Sequence, residues 1–256
     1  MTQRHERLAS KVIIVTGGSS GIGRAVAERV VAEGAAVVIG ARRTDVGESV
    51  AHNLRAGGGR ATFVAADVTD EADMATLVRV AVEEYGRLDG AFNNAGGVNP
   101  SGPVDQLDTA AWRADLDQNL TSVFYGLRHQ IPAIADVGGG AIVNNASTAA
   151  LSGIPGMASY VAAKHGVVGL TKSAALECAS RGVRINALVT GNVDTPLYRR
   201  LLGAPDGPDV GLEAPNPTGR VAQAAEIAAF VAFLLSDEAA FITGAALPID
   251  GGATAQ

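Results

Sequence analysis

Short, uninterrupted apolar runs alternate along the chain with stretches whose apolar residues recur at helical spacing. The apolar runs are Lys11–Thr16, Ala36–Ala41, Ala61–Ala66, Gly90–Asn94, Ala141–Asn145, Arg184–Val189 and Ala246–Ile249. The stretches with helical spacing include Ile22–Ala32, Ala72–Glu84, Ala158–Ala179 and Ala224–Leu235. Continuous apolar runs are typical of strands that are covered on both faces. The alternation therefore predicts an α/β fold in which a parallel sheet has helices on both faces.

The segment Leu197–Arg220 interrupts this alternation. It contains four prolines and four glycines, which disfavour a long helix or strand. Long loops inside compact domains are often lids or binding loops, so residues 197–218 are predicted to form a substrate-binding lid; a passive surface loop is the alternative. No linker or repeat divides the rest of the chain, and we expect residues 1–256 to form a single dinucleotide-binding and catalytic domain.

The composition narrows the class of protein. Apolar residues make up 47% of the 256 positions and charged residues 18%, which excludes a disordered chain. The net charge of −6 offers no basic surface for nucleic acid. Cys178 is the only cysteine, so an internal disulfide is impossible. The N-terminal stretch lacks the apolar core of a signal peptide. No apolar run approaches the roughly 18 residues that span a bilayer. We therefore expect a cytoplasmic protein without membrane or nucleic-acid partners, and we predict no metal site.

A glycine-rich loop connects the first predicted strand to the first predicted helix. From Thr16 to Gly23 it reads Thr-Gly-Gly-Ser-Ser-Gly-Ile-Gly. Glycines at this junction let backbone N–H groups approach a pyrophosphate, and the helix N-terminus adds partial positive charge. The spacing G-x3-G-x-G differs from the fingerprint G-x-G-x-x-G, so a simple tight turn is the alternative. The predicted cofactor-binding residues of this loop are Gly17, Ser19, Ser20, Gly21, Ile22 and Gly23.

The same loop also matches G-x-S-x-G, the nucleophile elbow of α/β-hydrolases. An elbow follows several earlier strands, whereas only ten residues precede this first strand. A hydrolase triad would also require an acid and then a histidine downstream, and the last histidine of the chain is His165. The position of the loop therefore argues against a hydrolase.

The end of the second predicted strand indicates which dinucleotide binds. Sites for NAD place an acidic residue there for the ribose 2′-hydroxyl, whereas sites for NADP use arginine for the 2′-phosphate. The strand ends at Ala41 and is followed by Arg42 and Arg43, while Asp45 is predicted to lie inside the next turn. Arginine binds a phosphate through paired hydrogen bonds, so NADP(H) is favoured and NAD(H) is possible. The alternative is that both arginines are solvated surface charges.

Tyr160 and Lys164 are four residues apart, which places a phenol and an ammonium on the same face of a predicted helix. A free phenol has a pKa of about 10 and is poorly suited to proton transfer at neutral pH. We expect the neighbouring cation to lower the pKa of Tyr160. Ser147 follows the fifth predicted strand, thirteen positions before Tyr160, at the sheet edge where open parallel sheets bind ligands. The alternatives are a surface ion partner for Lys164 and a turn-forming role for Ser147.

With these motifs assembled, the chain resembles the short-chain dehydrogenase/reductase family over nearly its whole length, from Lys11 to Gly252. The resemblance is carried by Thr16-Gly17-x3-Gly21-x-Gly23, Asp67-Val68, Asn93-Asn94-Ala95-Gly96, Gln118-Asn119-Leu120, Ser147, Tyr160-x3-Lys164, Ile242-Thr243-Gly244 and Asp250-Gly251-Gly252. It implies a doubly wound, seven-stranded parallel sheet of Rossmann type. It also implies an oxidoreductase that interconverts a small-molecule ketone or aldehyde and the corresponding alcohol by hydride transfer.

The resemblance further implies roles for individual residues. Tyr160 would be the general acid in carbonyl reduction and the general base in alcohol oxidation, and Ser147 would hydrogen-bond the reacting oxygen. Lys164 would lower the pKa of the tyrosine and hold the nicotinamide ribose, while Asn119 would position a water through its main chain. The other cofactor contacts that the resemblance implies are Asp67, Val68, Asn94, Ala95, Gly96, Val193 and Thr195.

Two positions depart from the family's pattern. Thr190 stands where the family usually has proline, which predicts a more mobile loop beside the nicotinamide. Ala146 stands where a serine commonly precedes the catalytic serine, so the polarity of the substrate pocket is not predicted by the resemblance.

The substrate and the assembly are less well determined by the sequence. The segment Ile131–Gly140 has no lysine or arginine, which disfavours docking of an acidic carrier protein and favours a free small molecule. The alternatives are an NAD-dependent alcohol or sugar dehydrogenase and a catalytically silent dinucleotide-binding regulatory protein. The resemblance implies a homotetramer or homodimer built on paired long helices. The small residues Ala162, Ala163 and Gly166 would permit close packing between such helices; packing within one subunit is the alternative.

Overall fold

The computed structural model describes residues 6–99, 102–203 and 216–255. The strands in these residues are β1 Val12–Thr16, β2 Ala36–Ala41, β3 Arg60–Ala65, β4 Gly90–Asn93, β5 Gly140–Asn145, β6 Val183–Thr190, β7 Val193–Asp194, β8 Ala222–Gln223 and β9 Ala246–Ile249. Seven of them form one sheet in the order β3-β2-β1-β4-β5-β6-β9, and β7 and β8 form a separate short pair. Every pairing in the large sheet is parallel.

Helices connect these strands and lie on both faces of the large sheet. They are α1 Gly21–Ala32, α2 Thr44–Ala56, α3 Glu71–Tyr85, α4 Thr109–Leu116, α5 Ser122–Asp136, α6 Ala158–Cys178, α7 Pro196–Leu201 and α8 Ala224–Leu235. Short 3₁₀ turns occur at Val104–Gln106, Thr148–Ala150, Ala179–Arg181 and Asp237–Ala239, and a π-helical turn at Asp117–Thr121 joins α4 to α5. The predicted doubly wound, seven-stranded parallel sheet of Rossmann type is confirmed.

Alternate residues of the central strand β1 enter two different hydrophobic cores. Ile13 belongs to a core that includes Val26 of α1, whereas Ile14 belongs to a second core that includes Leu77 of α3 and Val167 of α6. Side chains of a strand point alternately to opposite faces, so a strand covered on both faces must be apolar at every position. This explains why the strands read as continuous apolar runs.

The strand order reverses beside β1, and this reversal positions the site. From β1 the chain moves outward through β2 to β3 and then returns to β4 on the other side of β1. Helix α1, which follows β1, and helix α5, which lies between β4 and β5, therefore pack on opposite faces of the sheet, and a crevice opens at the carboxyl ends of these strands. Parallel α/β sheets bind their ligands in such a crevice.

The segment Leu197–Arg220 is described only in part. It begins within the six-residue helix α7, and residues 204–215 of the predicted lid lie outside the described residues. The short pair of β7 and β8 brackets the segment, with Val193 paired to Ala222. Within the part of the chain that the structure describes, no helix is both long enough and apolar enough to cross a membrane.

Candidate active site

A cleft of about 1140 Å³ opens at the carboxyl ends of the central strands and collects nearly all the predicted site residues. The predicted residues that line it are Gly17, Ser19, Ser20, Gly21, Ile22, Arg42, Arg43, Asp67, Val68, Asn94, Ala95, Gly96, Asn119, Ser147, Tyr160, Lys164, Val193 and Thr195. Gly23 is the predicted residue that does not line the cleft, because it is buried in the first turn of α1. The cleft exceeds the volume of a pocket for one small ligand, which is typically about 300–1,000 Å³.

The glycine loop is built so that no side chain occupies the space between β1 and α1. A Cβ on Gly17 would lie 2.9 Å from Asn94 Nδ2, and a Cβ on Gly23 would lie 2.4 Å from the Gly17 carbonyl oxygen. Gly17 and Gly21 also have φ angles of +67° and +54°, which residues with a Cβ rarely adopt. The loop can therefore fold onto the helix only with glycine at these positions.

The N-terminus of α1 faces this loop without a side-chain cap. Ser20 is the N-cap residue but makes no capping hydrogen bond, and the first turn contains no acidic residue. The first backbone N–H groups of a helix have no partner within the helix and carry partial positive charge. This end of α1 therefore fits the pyrophosphate of a dinucleotide.

The loop after β4 is fastened to the end of β1 by Thr16. The Thr16 hydroxyl accepts hydrogen bonds from the backbone N–H groups of Asn94 and Ala95, at 2.9 and 3.1 Å. The side chain of Asn94 donates to the Thr16 carbonyl at 3.0 Å. These bonds hold the wall of the cleft that the predicted segment Asn94–Gly96 forms.

The charges at the ends of β2 and β3 lie together at one end of the cleft. Arg42 and Arg43 are exposed, and β2 ends at Ala41 without an acidic residue. The pKa of Asp67 is lowered, chiefly by the hydrogen bond from the Thr69 backbone and to a smaller extent by the charge of Arg42. The Arg42 guanidinium therefore lies close enough to Asp67 to act on its carboxylate.

Asp45 is placed differently from its predicted position in a turn. Helix α2 begins at Thr44, so Asp45 lies in the first turn of this helix, where an acidic side chain interacts favourably with the helix dipole. The helix was not recognised in the sequence because Gly47 stands in it. A Cβ on Gly47 would lie 2.0 Å from the Phe63 ring, so close packing on β3 requires glycine there.

Ser147, Tyr160 and Lys164 lie close together near the end of β5. The Ser147 hydroxyl lies close enough to the Tyr160 hydroxyl to lower its pKa. Lys164 Nζ lies 5.6 Å from the centroid of the Tyr160 ring and donates to the Asn145 carbonyl at 2.8 Å. Lys164 is buried, and both side chains project from the same face of α6.

The pKa values of this pair correct the expectation from the sequence. Burial raises the pKa of Tyr160, although the nearby Ser147 hydroxyl opposes the increase. Burial also lowers the pKa of Lys164 to about 8. Removal from water disfavours the charged form of each group. For Tyr160, this effect of burial on the pKa outweighs the lowering that was expected from the Lys164 ammonium.

Asn119 is fixed by two hydrogen bonds in the π-helical turn between α4 and α5. Its side-chain amide donates to the Asp115 carbonyl at 3.1 Å, and its Oδ1 accepts from the Gly97 N–H at 3.2 Å. The residue is completely buried. Turns of this kind break the regular hydrogen bonding of a helix and are frequent at functional sites.

Asn145 is a cleft residue that the sequence analysis missed. Besides accepting from Lys164 through its carbonyl, it donates from Nδ2 to Asn94 Oδ1 at 3.1 Å. Its Oδ1 accepts from the Thr190 hydroxyl at 3.4 Å. This last bond restrains Thr190, which is buried. Greater mobility was predicted at this position because threonine replaces the usual proline. A polar residue at the end of a buried strand, two positions before Ser147, was the available signal.

The remaining wall of the cleft is mainly apolar and is formed by α7 and the loop before α6. The apolar residues that line it are Ile154, Met157, Leu197, Leu201 and Leu202. Thr195 caps α7, since its hydroxyl accepts from the Tyr198 N–H at 3.2 Å. The same side chain would lie 3.2 Å from a Cβ on Gly21, so Thr195 directly faces the glycine loop.

Comparison with known proteins identifies the family. A family model described as enoyl-(acyl carrier protein) reductase matches residues 17–254. The chain belongs to the short-chain dehydrogenase/reductase family. Members of this family bind NAD(P) and act on CH–OH groups or the corresponding carbonyls, and the chain is an oxidoreductase of this class.

The similar proteins include dehydrogenases and reductases of nearly the same length. The chain is 41% identical over 247 residues to cyclohexanol dehydrogenase of Acinetobacter sp. (strain SE19), covering 96% of each chain. It is 44% identical over 253 residues to cis-4-hydroxycyclohexanecarboxylate dehydrogenase of Sinomonas cyclohexanicum, covering 98% of this chain and 99% of the relative. The crystal structure of levodione reductase matches with a TM-score of 0.90 at 37% identity, covering 97% of this chain and 99% of that chain.

Proposed function

We propose that the protein is an NADP(H)-dependent oxidoreductase that interconverts a small cyclic ketone and the corresponding alcohol. The observation that carries the proposal is the meeting of Ser147, Tyr160 and Lys164 in the same cleft as the glycine loop. When bound there, a nicotinamide supplies the hydride in carbonyl reduction and accepts it in alcohol oxidation. The chain itself has to bind the cofactor, orient the substrate oxygen and move a proton.

Tyr160 is the residue that moves this proton. In reduction its hydroxyl donates a proton to the carbonyl oxygen, and in oxidation it removes the proton of the alcohol. Because burial raises its pKa, the phenol is protonated before reduction begins and can act as an acid. Ser147 lines the same cleft and lies close enough to Tyr160 to act on its pKa, so its hydroxyl can bind the same substrate oxygen.

Lys164 and Asn119 support the proton transfer from the interior of the protein. Lys164 lies beside the Tyr160 ring, and its buried ammonium opposes the cost of forming phenolate when a proton leaves. A Cβ on Gly96 would lie 2.7 Å from Asn119 Oδ1 and 3.7 Å from Lys164 Nζ. Glycine at this position thus keeps the space between the two residues open for a water or a ribose hydroxyl.

The preference for NADP(H) rests on the charges around the end of β2. No acidic residue stands at the strand end to bind a ribose 2′-hydroxyl, and two exposed arginines follow it. A guanidinium can bind a 2′-phosphate through two parallel hydrogen bonds. NAD(H) is the second candidate, because Asp45 and Asp67 lie near the same end of the cleft and would repel a phosphate.

The substrate is proposed to be a free small molecule with a six-membered carbocycle. The apolar residues Ile154, Met157, Leu197 and Leu201 line the same cleft as the predicted catalytic residues and suit the apolar surface of a carbocyclic ring. The similar proteins named after cyclohexanol and hydroxycyclohexanecarboxylate support a ring of this size. We further propose that residues 197–218 act as a lid within a single domain and that the protein is cytoplasmic.

The test is a panel of cyclic and open-chain alcohols and ketones assayed with NADPH and NADH in parallel. We expect turnover with cyclohexanol-type substrates and a higher kcat/KM with NADPH. Replacement of Arg42 by Asp should lower kcat/KM for NADPH by roughly 10-fold or more and change that for NADH much less, because only the 2′-phosphate is repelled. Arg79→Asp, an exposed arginine of α3, is the control for loss of a positive charge. Equal losses with both cofactors would show that Arg42 does not bind the 2′-phosphate.

A further inference from the structure

Asp115 is a buried acidic residue in the last turn of α4 that has no part in the proposed proton transfer. Its exposed fraction is only 3%, and its side chain lies between α4, α6 and the loop that follows β4. Burying a carboxyl group costs free energy unless hydrogen bonds compensate for the lost water. Two hydrogen bonds to the carboxylate and one to the Asp115 backbone carbonyl connect this residue to elements that form the proposed active site.

The first contact is with the helix that carries Tyr160. The Ser159 hydroxyl, which is fully buried, donates to Asp115 Oδ2 at 2.5 Å. Ser159 is the second residue of α6 and the immediate neighbour of Tyr160.

Helix α6 begins without a cap of its own. Its N-cap residue is Met157, no side chain makes a capping hydrogen bond, and its first turn contains no acidic residue. Negative charge and hydrogen-bond acceptors stabilise a helix N-terminus because the first N–H groups are unpaired. Asp115, on a different helix, supplies a hydrogen-bond acceptor to the Ser159 hydroxyl in this first turn.

The second and third contacts lead to the other side of the cleft. The backbone carbonyl of Asp115 accepts from the side chain of Asn119 at 3.1 Å. Its Oδ1 accepts from Asn99 Nδ2 at 3.3 Å, on the loop that also carries Asn94–Gly97. One residue thereby connects the π-helical turn, the loop after β4 and the start of α6.

We propose that Asp115 is a positioning residue that fixes the placement of Tyr160 relative to Asn119, acting through Ser159. The proposal rests on the proposed function, since it assigns the role by its effect on proton transfer at Tyr160. A tilt of the first turn of α6 would displace the Tyr160 hydroxyl from Ser147 and from the substrate oxygen. Displacements of about 1 Å at a reacting group can cost about 10²-fold in rate.

The test measures kcat, KM, the Kd for NADPH and Tm for Asp115→Asn, Asp115→Val, Ser159→Ala and the double variant Asp115→Val/Ser159→Ala. Ser159→Ala removes one oxygen and keeps the fold testable if the Asp115 variants fail to fold. Asp136→Asn, an exposed acid at the end of α5, and Ser173→Ala, an exposed serine of α6, are the matched controls.

We expect Ser159→Ala and Asp115→Val each to lower kcat by roughly 10- to 100-fold while the Kd for NADPH changes by less than about 2-fold. Asp115→Asn keeps an acceptor for Ser159 and should retain more activity than Asp115→Val. The double variant should be no slower than the slower single variant, because both changes break the same connection.

Two results would overturn the proposal. One is a kcat within about 2-fold of the wild type for Ser159→Ala, and the other is a double variant whose loss equals the product of the single losses. If the wild type is active on the substrate panel and kcat of these variants is unchanged, only the role of Asp115 is rejected. A wild-type protein that is inactive with every substrate rejects the proposed function itself.

Discussion

Tyr160 and Lys164 are each placed where their charged form is disfavoured. The sequence predicts a cation that lowers the pKa of a phenol, but it contains no information on how much water reaches either group. In the folded chain both are withdrawn from solvent, so the pKa of Tyr160 rises and that of Lys164 falls to about 8. In the mechanism that we propose, burial and the charge of a bound nicotinamide would together set the free energy of proton transfer at Tyr160.

Removal of the Tyr160 hydroxyl should abolish most turnover without preventing cofactor binding. We expect Tyr160→Phe to lower kcat by about 10²- to 10⁴-fold, the range that general acid–base catalysis contributes, because no other group replaces the phenol. The Kd for NADPH, measured by fluorescence titration, should change by less than about 2-fold. Tyr85→Phe removes a hydroxyl that bonds Thr62 and should leave kcat unchanged. An active Tyr160→Phe enzyme would exclude the proposed proton transfer.

The buried Lys164 should make stability rise with pH in the alkaline range. Its folded pKa of about 8 lies below the model-peptide value of 10.5, so between these values the unfolded chain binds the proton that the folded chain has lost. The free energy of unfolding of the wild type, relative to Lys164→Met, should increase by about 3 kcal/mol from pH 8 to pH 10.5 and stay constant below pH 8.

The control for this comparison is Lys172→Met, an exposed lysine on the same helix. The free energy of unfolding of this variant should change with pH in the same way as that of the wild type. Urea unfolding at a series of pH values measures all three proteins. A difference between the wild type and Lys164→Met that does not vary with pH would mean that Lys164 keeps its ordinary pKa in the folded chain.

At the scale of elements, glycine decides where the loop between β1 and α1 can run. Gly23 is helical, yet a Cβ there would collide with the Gly17 carbonyl oxygen at 2.4 Å and with Asn94 Nδ2 at 2.7 Å. Alanine normally favours a helix over glycine. Here the packing of the loop on the helix overrides that preference.

Gly23→Ala should therefore destabilise the protein and weaken cofactor binding together. We expect a loss of about 1–3 kcal/mol in the free energy of unfolding, typical of overpacking, and a higher Kd for NADPH because the loop has to move. Gly57→Ala is the control, since a Cβ there meets its nearest atom at 3.5 Å and φ is −78°. A Gly23→Ala protein with unchanged Tm and Kd would contradict the close packing of the loop.

The elements differ in how far local pattern predicts them. Helix α8 has the bounds predicted for it, Ala224–Leu235, because its mostly apolar sequence shows clear helical spacing. The pattern did not identify α2 and α5, which contain Gly47 and Pro132 respectively. Both residues disfavour an isolated helix, and contacts with the sheet compensate for them in the folded chain.

At the scale of the whole molecule, the neighbouring helices α5 and α6 each carry an exposed large apolar side chain. Leu176 of α6 is 83% exposed and Phe124 of α5 is 43% exposed. Exposed apolar side chains of this size on neighbouring helices favour association. We therefore propose that copies of the chain pair through α5 and α6 in a homotetramer or homodimer.

Leu176→Glu should weaken this assembly. A charge between the paired helices would have to be buried without a partner, so we expect the molar mass from light scattering to fall toward that of a single chain. Val82→Glu adds the same charge at a 43% exposed valine of α3 and should leave the mass unchanged. A wild-type protein that is already monomeric would contradict the proposed pairing.

The sequence by itself determined the seven strands of the large sheet, the sheet class and the family, but not the short pair of β7 and β8. Apolar runs, helical spacing and the order of glycines, serine, tyrosine and lysine are local features, and they predict the architecture and the family without knowledge of distant contacts. Only the tertiary structure decided the pKa direction of Tyr160, the roles of Asn145 and Asp115, and the places where glycine is required. These properties depend on burial and on contacts between residues far apart in the chain, such as Asn145 with Asn94 and Asp115 with Ser159. Residue spacing along a chain does not specify how much water is excluded or which distant atoms come within hydrogen-bonding distance.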